Sequence, residues 1–414
     1  MHFVISRVIK DVQSRIIQSA KKKKKRIVKG WNDMNQRKIV IAPDSFKESL
    51  TALEAAEAIK KGLQYIWPDA DYVLVPMADG GEGTVRSLVD ALHGQIITQE
   101  VTGPLGKPVS AFFGLVNDGT TAIIEMAAAS GIEHIKPEDR NPLIATTYGV
   151  GELIRSAMDH GANHIILGLG GSATNDGGCG MAQALGARLL DDSGRELGFG
   201  GAALDELASI DLSCFDPRIK TIRFEAATDV TNPLTGTQGA SAVFGPQKGA
   251  SEQDVCKLDH ALKNFSEVVN RDFGIDIDRV PGAGAAGGLG AGAIFFLNSK
   301  LRPGIDLVIK ESGLKQKLSG ASLVITGEGK IDGQTVYGKT PIGVARCAKE
   351  QHIPVIGLAG SLGNGCDAVL SHGIDAFFSI VPGAVSLEIA LHEAKANLIR
   401  TAANVARVWQ MAKN

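Results

Sequence analysis

The chain is poor in aromatic residues, which make up 5% of it. That argues against the stacking platforms that hold single-stranded nucleic acid. Cysteine is scarce and scattered: Cys179, Cys214, Cys256, Cys347 and Cys366 include no C-x-x-C pair. The odd, dispersed set excludes a disulfide framework or a zinc knuckle and fits reduced thiols in a cytoplasmic protein. No apolar run reaches the ~18 residues of a membrane span. No charged, apolar and small-residue segments follow one another as in a secretory leader. Charge of one sign does not dominate, since the net charge is −2. That balance hides an asymmetry, because residues 1–33 hold ten Lys/Arg, including KKKKKR, against Asp11 and Asp33. The remaining body is acidic, so no nucleic-acid partner is expected.

Glycine is abundant, with 50 residues among 414. It concentrates in Gly168–Gly180, GLGGSATNDGGCG, which follows an apolar strand candidate, His164–Leu167. Glycine lets other groups approach the backbone, and successive N–H groups before a helix make an anion cradle. Gly170, Gly171, Ser172 and Asn175 are therefore candidate phosphate or substrate contacts. A helix is expected over Met181–Leu190. Asp176 is the ionisable group within the cradle. It is the candidate general base, with a helix cap as the alternative role.

The chain length suits two domains. Residues 1–36 are expected to be a solvated basic extension, with Met34 as the candidate working start. Lys38–Ala42 (KIVIA) predicts a buried strand. A helix ending near Leu63 follows, with capping-box spacing at Ser45/Glu48 and at Thr51/Glu54. Asp44 and Lys47 stand at the strand's C-terminal end, where open parallel sheets take ligands. Asp79 and Glu82 hold the same place after the strand Tyr72–Pro76. Their hard oxygens suit Mg²⁺. From Gln95 to Met126, short runs separated by GPLGKP and NDGT predict hairpins and a boundary near residue 90. Helices are expected at Thr147–His160 and Ser251–Arg271. Strands are expected at Ile222–Ala227, Leu323–Thr326, Pro354–Ala359 and Ala376–Val381, and one long helix at Ser386–Trp409. Asp229 and Asn232 follow the first of these strands. Lys248 lies in a polar loop, and Gly284 in a second glycine-rich loop, Pro281–Gly292.

Three spellings match nucleotide-binding motifs. Gly168/Gly170/Ala173 and Gly282/Gly284/Gly287 fit the dinucleotide fingerprint in poor context. Gly333–Thr340, GQTVYGKT, fits a P-loop. GEGKID separates it from the strand at Thr326, so Lys339 is expected to matter as a phosphate-binding charge, and Thr340 much less. Glu328 and Asp332 flank it. Carboxylates for a divalent cation, lysines for phosphate and glycine cradles together point to phosphoryl transfer.

Taken in order, PDSFKESLTA, PMADGGEGT, GLGGSATNDGGCG, TDVTNPL, FGPQKGA, PGAGAAGG and ITGEGKIDGQTVYGKTPIGVA resemble the bacterial type I glycerate kinase family. The resemblance runs from about Lys38 to the C-terminus. It implies ATP-dependent phosphorylation of D-glycerate with Mg²⁺, generally at the 2-hydroxyl. It also implies an α/β fold: a Rossmann-like parallel-sheet domain from both chain ends, 37–90 and 290–414, with a second α/β domain, 91–289, inserted. On that reading Asp176, Lys47, Lys339 and Asp44 are the catalytic candidates. Gly170, Gly171, Ser172, Asn175, Lys248, Asn232, Gly284 and Asp332 bind substrate or phosphate. Asp79, Glu82, Asp229 and Glu328 hold the metal. A monomer or homodimer is expected. The competing readings are 3-phosphoglycerate formation, an NAD-dependent hydroxyacid oxidoreductase and a non-enzymatic small-molecule sensor.

Overall fold

The computed structural model describes residues 37–411. The basic extension and the Met34 start lie outside the described residues. Lys38–Ile41 forms a strand whose alternate residues serve two cores. Ile39 and Ile41 pack with Ile59, Leu398 and Ala402 on one face. Val40 and Ala42 pack with Val75, Val324 and Val344 on the other. A strand buried on both faces reads as an unbroken apolar run, as KIVIA does. Each buried Ile or Val here contributes roughly 1.5–3 kcal/mol through burial. The sheet order is Ala376–Ser379, Val355–Leu362, Ala321–Ile331, Lys38–Ile41, Asp71–Leu74, all parallel. Both ends of the described chain therefore build one sheet, as expected.

The helix Ala52–Gln64 starts at the Thr51/Glu54 capping box. The Ser45/Glu48 pair caps nothing. Glu48 turns left-handed, at φ +63°, inside a tight turn bridged by Phe46 and Leu50. Gly62 packs its backbone against Ile399, whose carbonyl oxygen would lie 2.2 Å from an added Cβ.

The second sheet is mixed. Its order is Lys300–Arg302, Arg223–Ala227, His164–Gly168, Thr121–Glu125, Pro108–Val116, Gln95–Thr102. The first four strands are parallel and the last two add antiparallel hairpins. The boundary expected at 290 falls inside the helix Ala285–Leu297, and the strand after it pairs with Arg223–Ala227. The chain thus returns to the first sheet only beyond Arg302. The helix Gly304–Glu311 makes that crossing. Its Ile305, Val308 and Ile309 join the first sheet's core. Its Leu307 packs against Ile166 and Ala227 of the second.

Several boundaries differ from expectation. The helix expected over 181–190 is Cys179–Ala184 only, because Gly186 turns left-handed at φ +97°. Arg188–Leu190 instead pairs with Ser209–Asp211. The strand expected at Leu323–Thr326 runs on to Ile331. The expected long C-terminal helix is two, Leu387–His392 and Ala394–Met411, and only the second buries residues.

Candidate active site

Parallel sheets open their C-terminal strand ends to ligands. Here two such edges face one cleft of about 500 Å³. From the first sheet come Lys47 and Asp79, and from the second Gly170, Gly171, Ser172 and Asp229. Glu82, Lys248 and Ala286 also line it. A smaller neighbouring cavity of about 250 Å³ shares Glu82, Gly170 and Gly171 and adds Glu125 and His134.

The acidic side chains crowd one another. Burial and the charge of Asp79 push Asp44 up to about 6, against hydrogen bonds from Thr340 and Ser45. Burial pushes Asp229 up to about 6, helped by Asp79 and Asp306 and opposed by the Gly304 N–H. Glu328 reaches about 7 through burial, opposed by Thr335 and Lys339 and reinforced by Asp44 and Asp79. Like charges gathered in low dielectric without equal counter-charge suit a bound cation. Two hydroxyls aim the group. Thr340 Oγ1 donates to Asp44 Oδ2 at 2.5 Å, and Thr335 Oγ1 to Glu328 Oε1 at 2.7 Å. The P-loop spelling thus marks a turn whose threonines orient carboxylates. Because the strand continues through GEGKI, this turn follows its strand more directly than the sequence implied. Lys339 is half-buried and opens the helix Thr340–Glu350.

Asp176 is not in the cleft. It is 1% exposed and saturated with donors. Its Oδ2 accepts from Thr147 N at 2.8 Å, Thr147 Oγ1 at 2.9 Å and Gly180 N at 3.3 Å, and its Oδ1 from Gly178 N at 3.2 Å. The carboxylate pins two helix starts together, and its burial outside the cleft lining keeps it from a substrate hydroxyl. Asn175 is also buried, donating to Ser241 Oγ at 2.9 Å. Asn232 donates to the Gln238 carbonyl and folds its own loop. Gly284 packs on Pro233, whose carbonyl would lie 2.2 Å from an added Cβ. Asp332 accepts from Gln334 N and pairs with Lys330. None of these four lines the cleft.

Tertiary structure adds residues that the sequence did not single out. Glu125 ends its strand and accepts from Val85 N at 2.8 Å, fixing the start of the helix Thr84–Leu92 behind Asp79–Gly83. Ala286, Gly287 and Gly288 are three consecutive left-handed residues inside the helix Ala285–Leu297. For Ala286 that conformation costs roughly 1–2 kcal/mol. The turn wedges onto the first glycine loop. An added Cβ on Gly287 would lie 2.0 Å from Thr174 O, and one on Gly292 2.4 Å from Gly177 O. Much of the glycine in both loops serves this interlock rather than a ligand.

Among the described residues, the metal-capable trio with ligand atoms within 4.8 Å of one another is His164, Glu225 and Glu311, outside the cleft. Arg223, Arg302 and Lys310 already neutralise Glu225 there. No described helix is long and apolar enough to cross a membrane.

The family model for the glycerate kinase family matches residues 39–410. A glycerate kinase of Bacillus subtilis (strain 168) is 57% identical over 376 residues, 91% of this chain and 98% of that one. A glycerate 2-kinase of Escherichia coli (strain K12) is 53% identical over 369 residues, 89% and 97% of the two chains. A crystal structure from Salmonella typhimurium LT2, of a protein assigned as glycerate kinase 2, is similar with a TM-score of 0.85. It is 53% identical, covering 91% of this chain and 99% of that one. The chain, an α/β enzyme, belongs to the glycerate kinase family.

Proposed function

We propose that the enzyme transfers the γ-phosphoryl group of ATP to the 2-hydroxyl of D-glycerate, giving 2-phosphoglycerate and ADP. The observation that carries this reading is one cleft lined by both carboxylates and lysines: Asp79, Glu82 and Asp229 with Lys47 and Lys248. Asp79 acts on Asp44, Asp229 and Glu328, so the acids form one group. The E. coli relative's name supports the 2-phosphate product. Phosphoryl transfer passes through a loose transition state, so positioning and charge neutralisation are most of the catalysis.

The acidic set fits Mg²⁺, a hard cation that keeps waters and takes one or two carboxylates alongside substrate phosphates. Asp79, Asp229, Glu82 and Glu328 would hold it, with Asp44 beside them. When bound, Mg²⁺ neutralises the phosphates and the developing charge. Thr340 and Thr335 keep Asp44 and Glu328 aimed. Lys339 and Lys47 offer point charges to the phosphates. The backbone of Gly170–Ser172 approaches the ligand closely, since Gly170 has only Gly81 Cα, at 3.5 Å, near its missing Cβ. With Asp176 satisfied elsewhere, the acceptor proton passes late to a cleft carboxylate. Reduced, unpaired cysteines support a cytoplasmic setting.

The test is incubation of the purified enzyme with ATP, Mg²⁺ and D-glycerate, with the product read by ³¹P NMR. A 2-phosphoglycerate resonance is expected. A 3-phosphoglycerate resonance would overturn the regiochemistry. Absent phosphoryl transfer, with NAD reduction in a parallel sample, would overturn the reading itself.

A further inference from the structure

We propose that Lys248 and the left-handed turn at Ala286–Gly288 form the pocket for the acceptor's carboxylate. The inference rests on the glycerate phosphorylation reading of this cleft. It assigns which residues of the cleft receive the organic acid.

Lys248 is 1% exposed yet lines the cleft. Its ammonium makes one hydrogen bond, to Thr174 O at 2.7 Å. No carboxylate among the described residues reaches it as an ion pair. Asp176 is the acid that acts on it electrostatically. That acid is already held by Thr147, Gly178 and Gly180. A desolvated ammonium without a counter-ion is costly unless a ligand supplies one. Beside it, the Thr174 hydroxyl is buried without a partner.

Ala286 supplies the second, independent observation. A non-glycine residue at φ +53° facing a cleft is strain held in place by its surroundings. Gly287, seated on Thr174, and Gly288 continue the same turn. The turn, Thr174 and Lys248 therefore meet beside the cleft. Asp79, Glu82 and Asp229 would repel a carboxylate elsewhere in it. Lys47, the other cleft lysine, is exposed and lies on the side of Asp44 and Asp79, which suits the nucleotide's phosphates.

Burial lowers Lys248 to about 7, with Asp176 pulling the other way. The charged groups that share its cleft are Lys47, Asp79, Glu82 and Asp229. An anion binds the ammonium form. Above pH 7, D-glycerate binding must then take up a proton, and affinity falls about tenfold per pH unit.

The test is isothermal titration of D-glycerate into the full-length enzyme in HEPES and in Tris, whose ionisation enthalpies differ. Uptake of about one proton at pH 8 and nearly none at pH 6 is expected. Lys248→Met should abolish the uptake and raise the KM for D-glycerate at least tenfold, leaving the KM for ATP unchanged. Lys248→Arg should bind without uptake. A folded Lys248→Met variant with unchanged D-glycerate affinity would overturn the proposal. If the unaltered enzyme fails to phosphorylate D-glycerate, the functional reading falls, and this one with it.

Discussion

Asp176 and Asp229 are chemically the same side chain, and their donors separate them. Four donors satisfy Asp176, whereas Asp229 has the Gly304 N–H at 3.0 Å and the repulsion of Asp79. Asp176→Asn places an NH₂ among backbone donors. It should cost about 1–3 kcal/mol in urea unfolding while kcat stays within about threefold. Burial raises both carboxyls, and for Asp229 the linkage can be worked through. A carboxyl raised from about 3.9 unfolded to about 6 folded favours folding when protonated, and that contribution is lost as pH rises through 6. Asp229→Asn keeps an oxygen for Gly304. It should therefore raise the Tm by about 2 °C at pH 8 and leave it unchanged at pH 4, by calorimetry. Turnover should fall about 100-fold or more. Thr340, which the sequence ranked well below Lys339, holds Asp44. Thr340→Ala should lower kcat about 10–100-fold, and Thr340→Ser should recover most of it.

At the scale of elements, two glycine-rich loops lock backbone to backbone. Gly177 N donates to Gly287 O at 3.0 Å, and Gly287 turns at φ +68°. Gly287→Ala combines a left-handed alanine with a Cβ on the Thr174 carbonyl, so a loss of about 2–4 kcal/mol is expected in denaturant melts. Gly236, at φ +87° with nothing within 4 Å of its missing Cβ, is the control. Gly236→Ala should cost about 1 kcal/mol. The glycine density was plain in the sequence. That Gly177, Gly178 and Gly287 serve packing while Gly170 and Gly171 face the cleft was not, because spacing does not reveal which backbone will arrive opposite.

Across the whole molecule, the cleft exists because two sheets present their strand ends to one another. The helix Gly304–Glu311 is shared between their cores. Glu225, buried in the second sheet, reaches Lys310 on that helix at 3.1 Å and His164 at 2.9 Å. Burial pushes Glu225 up, but Lys310, His164 and Arg223 outweigh it and hold it down at about 2. The stability so gained is present above the unfolded value of about 4.3 and is lost as pH falls toward 2. Glu225→Gln should lower stability by about 2 kcal/mol at pH 7, and thermal melts should show the difference fading between pH 4 and pH 2.

The sequence by itself determined the strand cores, the parallel sheet from both chain ends, the hairpins, the Thr51 cap and the family. All of these rest on local periodicity, short-range donors or ordered motifs. It also marked the strand-end acids and lysines, because position at a strand end is a property of the chain. Which of them share a cleft was decided only by the tertiary structure. Asp176 and Lys248 both lie in polar or glycine-rich stretches, and both are buried. Packing surrounded the acid with four N–H and O–H donors. It left the lysine one carbonyl and an opening onto the cleft. Burial and donor count depend on residues tens of positions away, and no local pattern carries them.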